Sequence, residues 1–185
     1  MSKFVKFGLL ALVLLLGFTG WEAWRNSSIE KIPARDRSLK LDVSIDTVLH
    51  ALEHEQEYSS AVFEDVYTYT RRRFDASDFR LQSLARILYD HRDSIAAAEY
   101  ETVKKTFLEM KYWMDQPGED GMCYWSENHQ LLFSASEYLA GQYWPDDLFS
   151  NTGLTGREHQ AMARGRILTW LEQRWLYGST EWYSN

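Results

Sequence analysis

The residues best suited to chemistry in this chain lie side by side. Residues 126 to 130 read Ser-Glu-Asn-His-Gln at the start of a helical pattern. A histidine titrates near neutral pH and can act as a general base. An adjacent asparagine can polarise a carboxylate or a carbonyl. Asn128 and His129 are therefore candidate catalytic groups, with Tyr143 from the end of the same pattern as a third. Glu127, Gln142, Trp125, Trp144, Glu181 and Trp182 are candidates for holding a substrate. The plainer reading of these side chains is structural. Ser126 suits a helix N-cap, Glu127 suits the helix dipole, and Asn128 and Gln142 can bond neighbouring loops.

A helix over these residues must position them. At about 100° per residue, Asn128, Leu132, Ala135, Leu139 and Gln142 share one side, and Gln130, Phe133 and Glu137 lie opposite. The spacing predicts an apolar stripe Leu132–Ala135–Leu139 bounded by two amides, on a helix buried on most sides and stopped by Pro145. A buried amide must be paired or face a solvated cavity. The polar groups at the helix start are accordingly expected to line a cleft.

Around this helix the apolar residues recur at helical spacing. Further helices are expected from Asp46 to about 58, over 60–73, from Asp78 to about 92, and from Asp93 or Ser94 to 115, where Pro117-Gly118 follows. Arg71, Arg72 and Arg73 suit a helix C-terminus. Thr155 and Glu158 form a capping box that opens a last helix, with Gly178 at its end. On that helix Ala161, Leu168 and Trp175 make an apolar stripe flanked by Arg164 and Glu172. His159 falls opposite, facing solvent or a neighbouring groove. No segment alternates convincingly as a strand. The expected fold class is all-α, built from antiparallel helical hairpins over residues 46–185, after a linker at 26–45.

Lys3 and Lys6 precede an apolar run at 7–21, which reads as an export signal at residues 1–25. No good cleavage site follows, and Trp21 and Trp24 suit a membrane interface. A signal anchor is favoured over a cleaved signal peptide. The helical domain is then membrane-anchored through residues 1–24 and extracytoplasmic, or secreted.

The net charge of −7 argues against nucleic acid as a partner. The single cysteine, Cys123, excludes an internal disulfide. His50 and His54 have a zinc-compatible spacing, but the pattern lacks the glutamate of a zinc protease, and an exposed helix face is the favoured reading. No metal or cofactor is expected. The 15% aromatic content, with eight Trp and eleven Tyr, fits a Trp-rich core or sugar recognition.

The run "SENHQLLFSASEYLAGQ", followed by "TGREHQAMARGRILTWL" and "GSTEW", resembles a family of exported helical proteins, mostly longer than this chain. The resemblance covers about residues 78–185. That family is similar to α/α-toroid proteins, the architecture of several polysaccharide lyases and glycoside hydrolases. The resemblance implies a partial (α/α) toroid, since six or so helices are too few to close one. It also implies a carbohydrate-active protein, a polysaccharide lyase or hydrolase acting on a glycan. In such lyases Asn neutralises the uronate carboxylate, His or Tyr removes the C5 proton, and Tyr protonates the leaving oxygen. Asn128 and His129 match the Asn-His pair, whereas Glu127 stands where those lyases carry a second Asn. The alternative is a non-catalytic, membrane-tethered helical module that binds glycan or protein, with Trp125, Trp144 and Trp182 as contacts.

Overall fold

A computed structural model describes residues 40–181. The expected signal anchor, most of the linker and Trp182 lie outside the described residues. Among the described residues six α-helices follow one another: α1 (Ile45–Glu53), α2 (Ala61–Arg71), α3 (Ser77–Asp90), α4 (Ala97–Leu108), α5 (Glu127–Tyr143) and α6 (Gly156–Tyr177). A 3-10 turn, Arg92–Ser94, joins α3 to α4. The all-α class is therefore as expected. Two very short strands, β1 (Leu148–Phe149) and β2 (Leu154–Thr155), pair antiparallel between α5 and α6. Two residues are too few to show an alternating pattern, which is why the hairpin was not expected. Its turn uses Gly153 at φ 73°, a conformation that favours glycine.

The helices pack mainly with partners two places along the chain. α1 lies on α3, α3 on α5 and α2 on α4, while α5 makes its largest contact with α6. Between these rows sits the core, including Phe63, Leu81, Ile87, Phe107, Tyr112 and Phe133, each almost completely buried. Burying one such apolar side chain stabilises the fold by roughly 1.5–3 kcal/mol.

Several helix ends differ from the sequence reading. α1 is preceded by Ser44, with Asp46 in its first turn, and it stops at Glu53 because Glu55 takes a left-handed φ of 53°. α3 is preceded by Ala76 rather than opened by Asp78, which lies buried in its first turn. α4 starts at Ala97, after the 3-10 turn that holds Asp93 and Ser94, and ends at Leu108. It does not reach 115 because Met110, Lys111 and Tyr112 are all buried in succession, which a one-sided helix face cannot do. The buried Lys111 ammonium is neutralised by Asp120 and also donates to the Gly118 carbonyl. Arg71 ends α2, but Arg73 turns inward, buried, with its guanidinium donating to Glu119 O and Asn151 Oδ1 at 3.0 Å each.

The inward faces of α5 and α6 also differ. Phe133, Ser134, Ser136, Glu137, Ala140 and Gly141 are the buried residues of α5, and Leu132, Ala135 and Leu139 are half-buried. On α6 the buried residues are Gly156, His159, Ala163 and Trp170. The expected stripe is turned outward: Leu168 is 48% exposed and Trp175 88%. Arg164 and Glu172 are exposed. The cause is a close approach of backbones. A Cβ on Gly141 would lie 2.3 Å from Gly156 O, and one on Gly156 would lie 2.1 Å from Trp144 O. This glycine contact, with a buried polar cluster beside it, fixes which sides of the two helices meet.

Candidate functional site

The start of α5 gathers Glu127, Asn128 and His129 with residues from α3 and from the segment after α6. His129 Nδ1 lies 2.6 Å from Asp78 Oδ2. Asp78 is fully buried, and its Oδ1 has no hydrogen-bond partner among the described residues. Burial pushes the Asp78 carboxyl above its ordinary range, and the bond to His129 opposes that rise. With Asp78 accepting from Nδ1–H, the ring carries its lone pair on Nε2. The imidazole is held by Phe79, edge-on at 5.4 Å, and by Phe133 at 6.4 Å. Its side chain is 13% exposed.

Asn128 is oriented by its own neighbours. Its Oδ1 accepts from the His129 N–H at 2.7 Å and from Ser126 Oγ at 2.6 Å. That leaves its amide NH₂ as the group able to meet a carboxylate. The Asn128 backbone N–H donates to Glu181 Oε2 at 2.9 Å, so an acid caps the positive end of α5.

Glu127 is spent within the chain. Its carboxylate is ion-paired to Arg174 and accepts from Ser179 Oγ, from the Thr180 N–H at 3.1 Å and from the Glu181 N–H at 3.1 Å. Trp170 Nε1 donates to the Glu127 carbonyl at 2.9 Å. Trp125 is 74% exposed beside this end of the helix.

The remaining candidates are elsewhere. Fourteen residues separate His129 from Tyr143, about 21 Å along a helix. Tyr143 therefore cannot share reacting atoms with His129, and the grouping of Asn128, His129 and Tyr143 in one centre is corrected. Tyr143 packs edge-on against Tyr89 at 5.3 Å and Trp144 at 4.9 Å, and burial raises its hydroxyl above the ordinary value. Trp144 is buried and donates to Tyr100 Oη at 3.1 Å, so it offers no surface to a ligand. Gln142 is exposed at that same far end.

A second polar cluster lies wholly inside. His159, expected at the surface, is fully buried, with Nδ1 2.5 Å from Glu137 Oε1 and Nε2 2.7 Å from Thr152 Oγ1. Glu137, also fully buried, accepts from Gln116 Nε2 at 3.2 Å and is ion-paired to Arg166. Because Arg166 already balances Glu137, a second cation here would be uncompensated in a dry site. Burial accordingly lowers the His159 pKa to about 4. The neutral ring ties the hairpin loop to α5 and α6.

Asp78 and Thr152 are the residues that sequence reasoning missed. Asp78 looked fully explained as a helix-start acid, and its partner lies 51 residues away. Among the described residues no three metal-ligating side chains converge, and His50 and His54 stack ring on ring at 4.1 Å on an exposed face.

Compared with protein-family models, with characterised proteins and with solved structures, the chain matches none.

Proposed function

We propose that this is an exported carbohydrate-active protein whose His129 acts as a general base on a uronate-containing polysaccharide, in the manner of a lyase. It is held at a membrane through residues 1–24 or secreted, and its helices form part of an (α/α) toroid. The packing of helices two apart, in two rows, supports that architecture.

The observation that carries the reading is the 2.6 Å contact between His129 Nδ1 and the buried Asp78 carboxylate. It presents Nε2 as an oriented base. Elimination needs one such base and a donor to the uronate carboxylate, a role open to the Asn128 amide. Nε2 takes the C5 proton, the freed pair forms the C4–C5 double bond, and the C4–O bond breaks. The leaving oxygen takes a proton from Nε2–H or from water. Hydrolysis instead calls on two carboxylates facing one bond. Glu127 is engaged by residues 174–181, and Glu181 accepts from Asn128 N–H, so the dyad is the better-placed proton-transfer group.

The test is product analysis with alginate or a glycosaminoglycan. The expected products are oligosaccharides with an unsaturated terminal uronate. Saturated products would replace elimination with hydrolysis. Binding of the polymer without any turnover would favour the second reading, a non-catalytic glycan-binding module, for which the exposed indole of Trp125 speaks.

A further inference from the structure

Where α5 meets α6, a groove of about 500 Å³ opens between the two helices and the segment at Trp113. That volume lies within the range of small-ligand sites. Its lining combines two indoles, Trp113 and Trp170, two amides, Gln130 and Gln173, one guanidinium, Arg166, and one carboxylate, Asp115. Arg166 is fixed in place: its guanidinium lies 4.9 Å over the Trp113 ring, is paired to Glu137 and meets Ser134 Oγ at 3.4 Å.

A second observation is the glycine in its wall. Gly165 lies in the middle of α6, where glycine costs about 1 kcal/mol relative to alanine. A Cβ built there meets nothing within 4 Å. Packing therefore gives no reason for a glycine at this position, and the space its missing side chain leaves belongs to the groove. Gly141 and Gly156 are different, since the helix contact itself requires them.

We propose that this groove binds an uncharged sugar unit of a glycan. The ligand class rests on the carbohydrate reading above, and the charge decides the rest. Arg166 is already neutralised by the buried Glu137, which leaves Asp115 as the uncompensated charge of the lining, so a uronate is disfavoured here. The Gln130 amide oxygen, whose NH₂ partner donates to the Trp125 carbonyl at 2.9 Å, and the Gln173 amide present acceptors and donors suited to vicinal hydroxyls, and the half-buried Trp113 indole offers apolar surface to ring C–H groups. A peptide would call for an open strand edge or a continuous apolar row, and this lining is interrupted at each step by polar groups. Gln130 directly follows His129, and Trp170 bonds the Glu127 carbonyl, so the groove starts within one helical turn of the dyad. A glycan with alternating uronate and neutral sugars would place its neutral unit here when its uronate meets His129.

The experiment uses the full chain and titrates neutral cello-, manno- and chito-oligosaccharides, and an oligogalacturonate, against tryptophan fluorescence and by calorimetry. At least one neutral probe binds wild type and His129→Ala alike, and Gly165→Leu weakens it by roughly tenfold or more. Gly165→Ala serves as the folding control. No binding by any neutral probe, unchanged binding in Gly165→Leu, or preference for the oligogalacturonate overturns the proposal. Turnover lost in His129→Ala with Gly165→Leu still binding normally removes the groove and keeps the lyase reading. Groove binding without turnover does the reverse.

Discussion

Glu127 and Glu181 hold each other's segments. The Glu127 carboxylate accepts from the Glu181 N–H at 3.1 Å, and the Glu181 carboxylate accepts from the Asn128 N–H at 2.9 Å. Two acids, candidates for binding a substrate in the sequence, thus close the segment after α6 onto the start of α5. Arg174 is ion-paired to Glu127. Replacing Glu127 by Gln weakens the ion pair and removes one acceptor oxygen from a set of backbone donors. The expected loss is about 1–3 kcal/mol, read as a lower melting temperature and faster proteolysis near 178–181. An unchanged melting temperature and cleavage pattern would show that the clasp holds nothing.

The Asp78–His129 contact makes a prediction about the ring itself. Asp78→Asn removes a buried charge, one of whose oxygens has no hydrogen-bond partner among the described residues, so stability is expected to hold or to rise slightly. The proton on His129 should then shift from Nδ1 toward Nε2. Nitrogen NMR of the imidazole reads this directly, alongside a fall in kcat. If Asp78→Asn unfolds the protein while the ring tautomer of the surviving folded fraction stays the same, Asp78 serves the core alone.

The buried His159 gives a pH dependence of stability. Its folded pKa is about 4, below the ordinary 6.5. Between these values the unfolded chain binds a proton that the folded chain does not, so stability falls as pH drops from 6.5 to 4 and is fully present above that window. The titratable and charged groups around the ring are Glu137, with its partner Arg166, and Tyr112, with Glu158 next in sequence. The contribution is on the order of 3 kcal/mol. Melting temperatures across this range should decline in wild type and decline less in His159→Gln. Equal slopes in the two proteins would remove His159 as the source.

Two glycines on neighbouring helices should respond in opposite directions. Gly141→Ala drives a Cβ against Gly156 O and Gln160 N, and overpacking of this kind costs about 1–3 kcal/mol or more. Gly165→Ala meets no neighbour and should stabilise α6 by up to about 1 kcal/mol. Chemical denaturation of both variants checks the pair. A stable Gly141→Ala would mean that α5 and α6 are not in close backbone contact.

Much of the helical layout was legible because apolar spacing, prolines and the Thr155–Glu158 box are local signals. The box is present as expected, with the Thr155 N–H donating to Glu158 Oε2 at 2.7 Å. What was not legible depended on distant partners. The inward side of α5 was misread because Glu137 looks like a surface residue until Arg166, Gln116 and His159 surround it. The apolar stripe of α6 was misread for the same reason: glycine contact and the buried polar cluster outweigh hydrophobic periodicity. At the candidate site, Asn128 and His129 stood out by type and spacing. Asp78 did not, because its role exists only once α3 and α5 are packed.

The account turns on His129 as a proton-transfer group, and the most direct measurement is the steady-state kinetics of His129→Ala on an acidic polysaccharide that the wild type cleaves. The predicted result is a fall in kcat of about 10²–10⁴-fold, the usual contribution of a general base, with KM and melting temperature close to wild type. A variant that cleaves at the wild-type rate, or one that merely melts earlier while no polysaccharide is ever cleaved by either protein, would contradict it.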